Sequence, residues 1–288
     1  MTIKLNHREN NRITKMKINK IYNENCLDTM ARMPDNFIDL TVTSPPYDNL
    51  RTYNDNIDES WGEHVWKPII KELYRVTKDG GVVVWVVGDA TINGSETGTS
   101  FRQALYAMDC GFNLHDTMIY QKNGPAYPAN DKSNRYSQIF EYMFVFSKEI
   151  PKKTNLIKDR KNRWGGSKTF GTVSERTKDG QLKKRKQVTV SELGYRYNVW
   201  KINSGFGYSS HDNVAHAHPA IFPEKLAYDH IISWSDRGDL VYDPFIGSGT
   251  TAKAAICANR KWLGSEISKE YCDIASKRLE PLLNNLFT

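Results

Sequence analysis

Between Gly81 and Gly88 the chain reads Val82-Val83-Val84-Trp85-Val86-Val87, six apolar residues with no polar interruption. Branched and aromatic side chains of this kind favour extended backbone. A strand with one wet face would alternate apolar with polar, so an unbroken run predicts a strand covered on both faces. That is the environment of a parallel sheet lying between layers of helices. The flanking segments agree with it. Residues 37–43 alternate and are rich in strand formers, and Pro45-Pro46 forbids their continuation beyond Ser44. Apolar spacing over residues 61–76 predicts a helix stopped by Lys78-Asp79-Gly80-Gly81. Residues 101–108 predict a second helix ending near Gly111, and residues 114–120 and 142–146 two further strands. From residue 223 the pattern becomes helix (223–234), strand (240–242), helix (250–259), strand (262–264) and helix (268–279). Alternation of this kind predicts an α/β fold built on a Rossmann-like, doubly wound, mostly parallel sheet.

One stretch breaks the pattern. Between Pro151 and Val190 stand thirteen Lys or Arg residues against Asp159, Glu175 and Asp179, a local charge of +10 in a chain whose total is +7. The rest of the molecule is therefore slightly acidic. A basic insert in such a background points to a polyanion contact, with a solvated loop as the alternative. Lys183, Lys184, Arg185 and Lys186 are the densest run and the candidates for phosphate contact, with Trp164 and Phe170 as aromatic neighbours. The expected division is a polar arm (1–16), a first catalytic part (17–148), the insert (149–213) and a second catalytic part (214–288).

Other classes are disfavoured. No apolar stretch approaches the roughly 20 residues of a membrane span, and residues 1–20 lack the apolar core of a signal peptide. The expectation is a cytoplasmic protein with no membrane contact. Cys26, Cys110, Cys257 and Cys272 are scattered without a C-x-x-C pair, which argues against disulfides and zinc. His211, His216 and His218 have metal-like spacing but no thiol or carboxylate cluster beside them, so no metal is expected.

Two loops carry the chemistry. Asp243-Pro244-Phe245-Ile246-Gly247-Ser248-Gly249-Thr250 lies between a strand and a helix, where glycines let a ligand approach the backbone. The spacing is short of a full dinucleotide fingerprint, and no basic residue lies within the loop, which favours an adenosyl ligand without phosphates. Glu266, at the end of the next strand, suits ribose hydroxyls. Ser44-Pro45-Pro46-Tyr47 ends the earlier strand. An aromatic exocyclic amine is a poor nucleophile because its lone pair is delocalised. Acceptance of its N–H groups by Ser44 Oγ and by the Pro45 carbonyl would favour a pyramidal nitrogen. Pro46 keeps that turn rigid, and Tyr47 can stack on the ring for about 1–3 kcal/mol. Asp89 shapes the same pocket or caps the next turn.

Together, in this order, the two loops resemble the β-class of DNA amino-methyltransferases, which methylate cytosine N4 or adenine N6. The resemblance spans about residues 20–148 and 214–282. It implies a class I S-adenosylmethionine-dependent methyltransferase fold with circularly permuted motif order, in which the insert is the target-recognition region. It implies S-adenosylmethionine at Asp243, Phe245, Gly247, Ser248, Gly249, Thr250 and Glu266. Tyr22-Asn23-Glu24-Asn25-Cys26-Leu27 resembles the segment lining the adenine pocket, which adds Asn25 and Cys26. The segment from His218 to Leu226 resembles the one covering the methionine end, which adds Phe222, Pro223 and Lys225. Ser44, Pro45, Pro46 and Tyr47 would be catalytic, acting on a base flipped out of double-stranded DNA, with neither a metal nor a covalent enzyme intermediate. Family members with Ser at the start of this loop mostly act on cytosine N4, so Ser44 favours that target; adenine N6 stays open. The resemblance also allows a homodimer and a restriction endonuclease on a separate chain. Rival readings are an RNA or protein-glutamine methyltransferase, and a DNA-binding module without catalysis.

Overall fold

A computed structural model describes residues 16–46, 61–125, 129–169, 174–184, 187–205, 207–210, 212, 214–215 and 221–284. The first elements are β1 (Lys20–Tyr22), α1 (Cys26–Ala31), β2 (Ile38–Thr43), α2 (Glu63–Val76) and β3 (Thr77–Val87). A two-residue pair, β4 (Thr91–Ile92) and β5 (Ser95–Glu96), precedes α3 (Thr99–Asp109), β6 (Asn113–Gln121) and β7 (Phe140–Ser147). Then come β8 (Lys158–Lys161), β9 (Ser174–Arg176), β10 (Leu182–Lys184), β11 (Leu193–Tyr195) and β12 (Val199–Lys201). The chain ends on α4 (Glu224–Trp234), β13 (Leu240–Asp243), α5 (Thr250–Cys257), β14 (Lys261–Ser265) and α6 (Lys269–Asn284).

Two compact units result. The larger comprises Met1–Asn155 and Val199–Thr288, and the smaller Leu156–Asn198. The larger holds an eight-stranded sheet in the order β1-β14-β13-β2-β3-β7-β6-β12. Every pairing is parallel except the two made by β7, so β7 alone runs against the others. The run in β3 explains why two helical layers are needed. Val82, Val84 and Val86 enter one apolar cluster with α4, α5 and Leu279 of α6, while Val83, Trp85 and Val87 enter a second with α1, α2 and α3. Each fully buried side chain of this size contributes about 1.5–3 kcal/mol of transfer free energy.

The segment expected to stop α2 behaves differently. The helix ends at Val76, and Lys78-Asp79-Gly80-Gly81 forms the irregular start of β3, with Gly80 at φ +80°. Pairing with β2 slips there, from Ile38↔Thr77 to Leu40↔Val82. The helix therefore joins its strand through a bulge instead of a loop. β12 lies within the expected insert of 149–213 yet pairs with β6 in the main sheet. The smaller unit consists of two antiparallel ribbons, β8 with β11 and β9 with β10. Among the described residues no helix is long and apolar enough to cross a membrane.

Candidate functional site

β13 and β2 are parallel neighbours, but the chain leaves them in opposite directions along the sheet: β13 returns through α5 as β14, and β2 returns through α2 as β3. Such a switch opens a crevice at the carboxyl ends of the strands, where ligands bind in open α/β sheets. A buried carboxylate ties the crevice together. Thr43, the last residue of β2, donates Oγ1–H to Asp243 Oδ1 at 2.7 Å. Thr251 of α5 donates to Asp243 Oδ2 at 2.7 Å, and the Phe245 N–H donates to Oδ1 at 3.0 Å. Ser44, buried Pro45 and Pro46 thus leave β2 one residue beyond a hydrogen bond to the glycine-loop strand. Burial pushes the Asp243 carboxyl up to about 6, against the opposing pull of Thr251, Thr43 and the Phe245 amide.

The glycine loop is held from the other side by Glu266. Its Oε2 accepts the Gly247 N–H at 3.0 Å and its Oε1 the Ser268 N–H at 2.9 Å. Burial raises this carboxyl above the usual range, opposed by those amides. Gly249 sits at φ +83°, and a Cβ there would lie 3.0 Å from the Ala275 Cβ, so only glycine lets α5 start this close to α6. Asn23 Nδ2 donates to the Glu266 carbonyl at 2.9 Å and the Ile267 carbonyl at 3.0 Å, which brings the end of β1 alongside. Asn25 caps α1 by accepting the Leu27 N–H at 2.9 Å. Cys26 is buried, its thiol pushed up to about 12 by desolvation, so it is a packing group and no nucleophile. Phe245 stands edge-on to Trp61 and Trp85, with ring centroids 5.6 and 6.3 Å away.

Behind the loop lies a buried charge cluster. The Arg278 side chain, 0% exposed, donates to Glu224 (2.5 Å), Asp212 (2.8 Å), the Ser248 carbonyl (3.0 Å) and Thr250 Oγ1 (2.9 Å). Lys253 reaches Asp212 at 2.6 Å and Glu224 at 3.0 Å. Burial would raise the Glu224 carboxyl, but Ser210, Lys253 and Arg278 outweigh it and hold it below its ordinary value. Pro223 is the N-cap of α4, so the Phe222-Pro223 segment reaches the glycine loop through Glu224 and Arg278.

The residues expected at this edge divide as follows. Ser44, Pro45, Pro46, Asn25, Cys26, Asp243, Phe245, Gly247, Ser248, Gly249, Thr250 and Glu266 gather at the carboxyl ends of β1, β14, β13 and β2. Lys225 instead turns along α4 to Asp229 at 2.9 Å. Asp89 accepts the Ser100 N–H at 2.9 Å and its hydroxyl at 2.5 Å, serving the first turn of α3. Lys183 and Lys184 are exposed on β10, with Lys183 opposite Glu175. Tyr47, Phe170, Arg185, Lys186, His211, His216 and His218 lie outside the described residues. No metal-holding group is found among the described residues. Thr251 and Arg278 have no part in the sequence reading, and Thr43 and Asn23 enter it only as members of segments 43–47 and 22–27. For Arg278 a signal exists, because it shares a helical face with Ile274, Ala275 and Leu279 and is therefore a cation on an apolar stripe.

A carboxylate beside a glycine loop suits a nucleoside: each Glu266 oxygen accepts one backbone N–H and keeps a lone pair for a hydroxyl. The DNA methylase family covering N6- and N4-methyltransferases matches residues 38–277. An orphan methyltransferase, M.BamHII of Bacillus amyloliquefaciens, is 59% identical over 247 residues, 84% of this chain and 89% of that protein. The type II methyltransferase M.BglII of Bacillus subtilis is 28% identical over 285 residues, 95% of this chain and 72% of that protein. Among solved structures, the cytosine-N4-specific PvuII DNA methyltransferase superposes with a TM-score of 0.63 at 20% identity, covering 92% of this chain and 91% of that one. A putative DNA modification methylase from Thermus thermophilus, complexed with S-adenosyl-L-methionine, gives 0.59 at 21% identity, with 91% and 93% covered.

Proposed function

The chain belongs to the DNA methylase family of N6- and N4-methyltransferases, and from that premise we propose that it methylates the N4 amine of a cytosine flipped out of double-stranded DNA. S-adenosylmethionine, when bound, supplies the electrophilic methyl group. The observation that carries the reading is the Thr43–Asp243 hydrogen bond at 2.7 Å, which fixes the start of the Ser44 loop against the strand that delivers the glycine loop. Holding donor and acceptor in line removes much of the entropic barrier to transfer.

The chain's own groups divide the work. Ser44 Oγ and the Pro45 carbonyl accept the two N–H bonds of the amine and so localise its lone pair. Tyr47 stacks on the extruded ring, and Pro46 limits the loop's freedom. Glu266 accepts ribose hydroxyls, while Gly247, Ser248, Gly249 and Thr250 allow the cofactor to lie along the backbone. Asn25, Cys26 and Phe245 line the adenine side, and Phe222 and Pro223 the methionine side, with Lys225 left to its pair with Asp229. Asp243 acts through the loops it joins, since Thr43, Thr251 and the Phe245 amide occupy its oxygens. Support for cytosine over adenine comes from Ser at position 44 and from the stated specificity of the PvuII enzyme.

The test is single-molecule sequencing of DNA from cells expressing the chain, with a Ser44→Ala, Tyr47→Ala double variant as control. An N4-methylcytosine signature at one motif, absent from the control, is expected. An N6-methyladenine signature would overturn the target base, and DNA indistinguishable from the control would overturn the activity.

A further inference from the structure

The small unit, Leu156–Asn198, carries a feature that the methyl-transfer site does not use. β8 and β11 form a two-stranded antiparallel ribbon with Gly194 opposite Arg160. A one-residue bulge at Asp159 interrupts the alternation of β8, because Gly194 pairs with Arg160 and Tyr195 with Lys158. Asp159 is paired with Arg196, whose Nε lies 3.0 Å from Oδ2, so its charge is satisfied internally. Lys158 Nζ sits 4.6 Å from the Tyr195 ring centroid, and the Arg160 guanidinium lies on the Gly194 side, 4.5 Å from the Tyr197 ring centroid. Both tyrosines are more than half exposed, at 52% and 65%.

Arg160 is held in three ways. Its Cζ lies 4.5 Å from the Tyr197 ring centroid, its Nε donates to the Tyr195 carbonyl at 3.0 Å, and a Cβ on Gly194 would lie 2.4 Å from its Nη2. The guanidinium therefore occupies the space that glycine leaves open. Among the described residues no carboxylate pairs with it. Fixing an arginine costs rotamer entropy, and an internal role would ordinarily return that through a carboxylate. A fork held at its Nε and against an aromatic ring, with no carboxylate on it, is suited to two acceptors lying side by side. Guanine presents that pair, O6 and N7, in the major groove of DNA, whose width admits a two-stranded β-ribbon. A phosphate also accepts from the arginine fork, but a phosphate contact carries no sequence information, and that difference is what the test reads.

We propose that Arg160 is a specificity-determining residue that reads one guanine of the recognition sequence through O6 and N7, from the side of the β8–β11 ribbon that Gly194 leaves open beside Tyr197. This rests on the chain being a DNA methyltransferase.

The experiment compares the full-length wild type with Arg160→Gln, Arg160→Lys and Gly194→Ala on a random-sequence duplex library, read by single-molecule sequencing of methylated positions. Gly194 does not occupy the left-handed region, so alanine there displaces the guanidinium, and the Asn162 side chain whose Oδ1 would lie 2.7 Å away, without backbone strain. In all three variants, discrimination at one guanine position should fall by about 5- to 150-fold, with the other positions unchanged. Relaxation by Gly194→Ala, which keeps the arginine, separates a lost reading geometry from a lost charge. A uniform fall at every site with a shallower salt dependence would make Arg160 a phosphate contact and overturn the proposal. An unchanged sequence spectrum in folded variants would overturn it as well. Wild type that marks no DNA would remove the methyltransferase reading and this one with it, an outcome distinct from an active enzyme whose specificity ignores Arg160.

Discussion

Asp243 is a carboxylate placed where water cannot reach it, and its three donors only partly offset the desolvation. Its folded pKa of about 6 exceeds the ordinary value of 3.8, so the folded state binds more protons between those pH values than the unfolded one. The sign follows from linkage: this residue's contribution to stability is fully present below about pH 4 and is lost as pH rises through about 6. The size is about 3 kcal/mol. Asp243→Asn removes the titration and keeps the shape, because Thr251 can donate to the Val42 carbonyl, 3.3 Å away, while accepting from the new amide. Thermal melts of both proteins from pH 4 to 8 should show the wild type losing ground to Asp243→Asn between pH 4 and 6, then a constant difference. A difference independent of pH would mean that Asp243 is not desolvated. Nothing in the sequence distinguishes this inward carboxylate from a ligand-facing one, because Asp243 begins the motif either way. Only the Thr43 and Thr251 hydroxyls reveal where its oxygens are used.

Elements were legible where they are long or uniform. β3 announces itself by its apolar run, the end of β2 by Pro45-Pro46, and α4, α5 and α6 by apolar spacing. β1 and β12 have three residues each and α1 has six, too few for a period to emerge, and they form because the sheet is already there to receive them. The glycine loop and Glu266 were legible through composition and position. The device that braces them was not, since Arg278 looks from sequence like one more cation on a surface helix. Its guanidinium joins α6 to Glu224 of α4 and to the Ser248 carbonyl ahead of α5. Removing one member of a buried ionic set leaves the others uncompensated, so Arg278→Met should cost about 3–5 kcal/mol in urea unfolding. Adding Glu224→Gln should return part of that loss, because the two residues are coupled. A loss under about 1 kcal/mol, or strict additivity, would show that the cluster is solvated. Cofactor affinity should fall alongside stability, measured by calorimetry, because Ser248 loses its donor.

At the scale of the whole molecule, folding and charge are carried by different stretches of chain. Both apolar clusters draw only on the larger unit, and among the described residues no buried hydrophobic side chain lies between Phe146 and Trp200. Leu156–Asn198 holds twelve Lys or Arg residues against four Asp or Glu, a charge of +8 in a chain of +7. Excising that unit and joining Asn155 to Val199 by a short Gly-Ser linker removes none of those core residues and leaves a body with a charge of −1. The shortened protein should therefore keep a cooperative melt within a few degrees of the parent and bind S-adenosylmethionine with affinity near that of the full chain. Duplex DNA binding should fall steeply and lose its dependence on salt, since released counterions set that slope. Neutralising Lys183, Lys184, Arg185 and Lys186 in the intact chain should flatten the slope partway while sparing the sequence preference, because phosphate contacts position without specifying. Retained salt-dependent DNA binding after excision would assign the polyanion contact to the larger unit, and loss of the cooperative melt would show that the basic unit helps to build the fold.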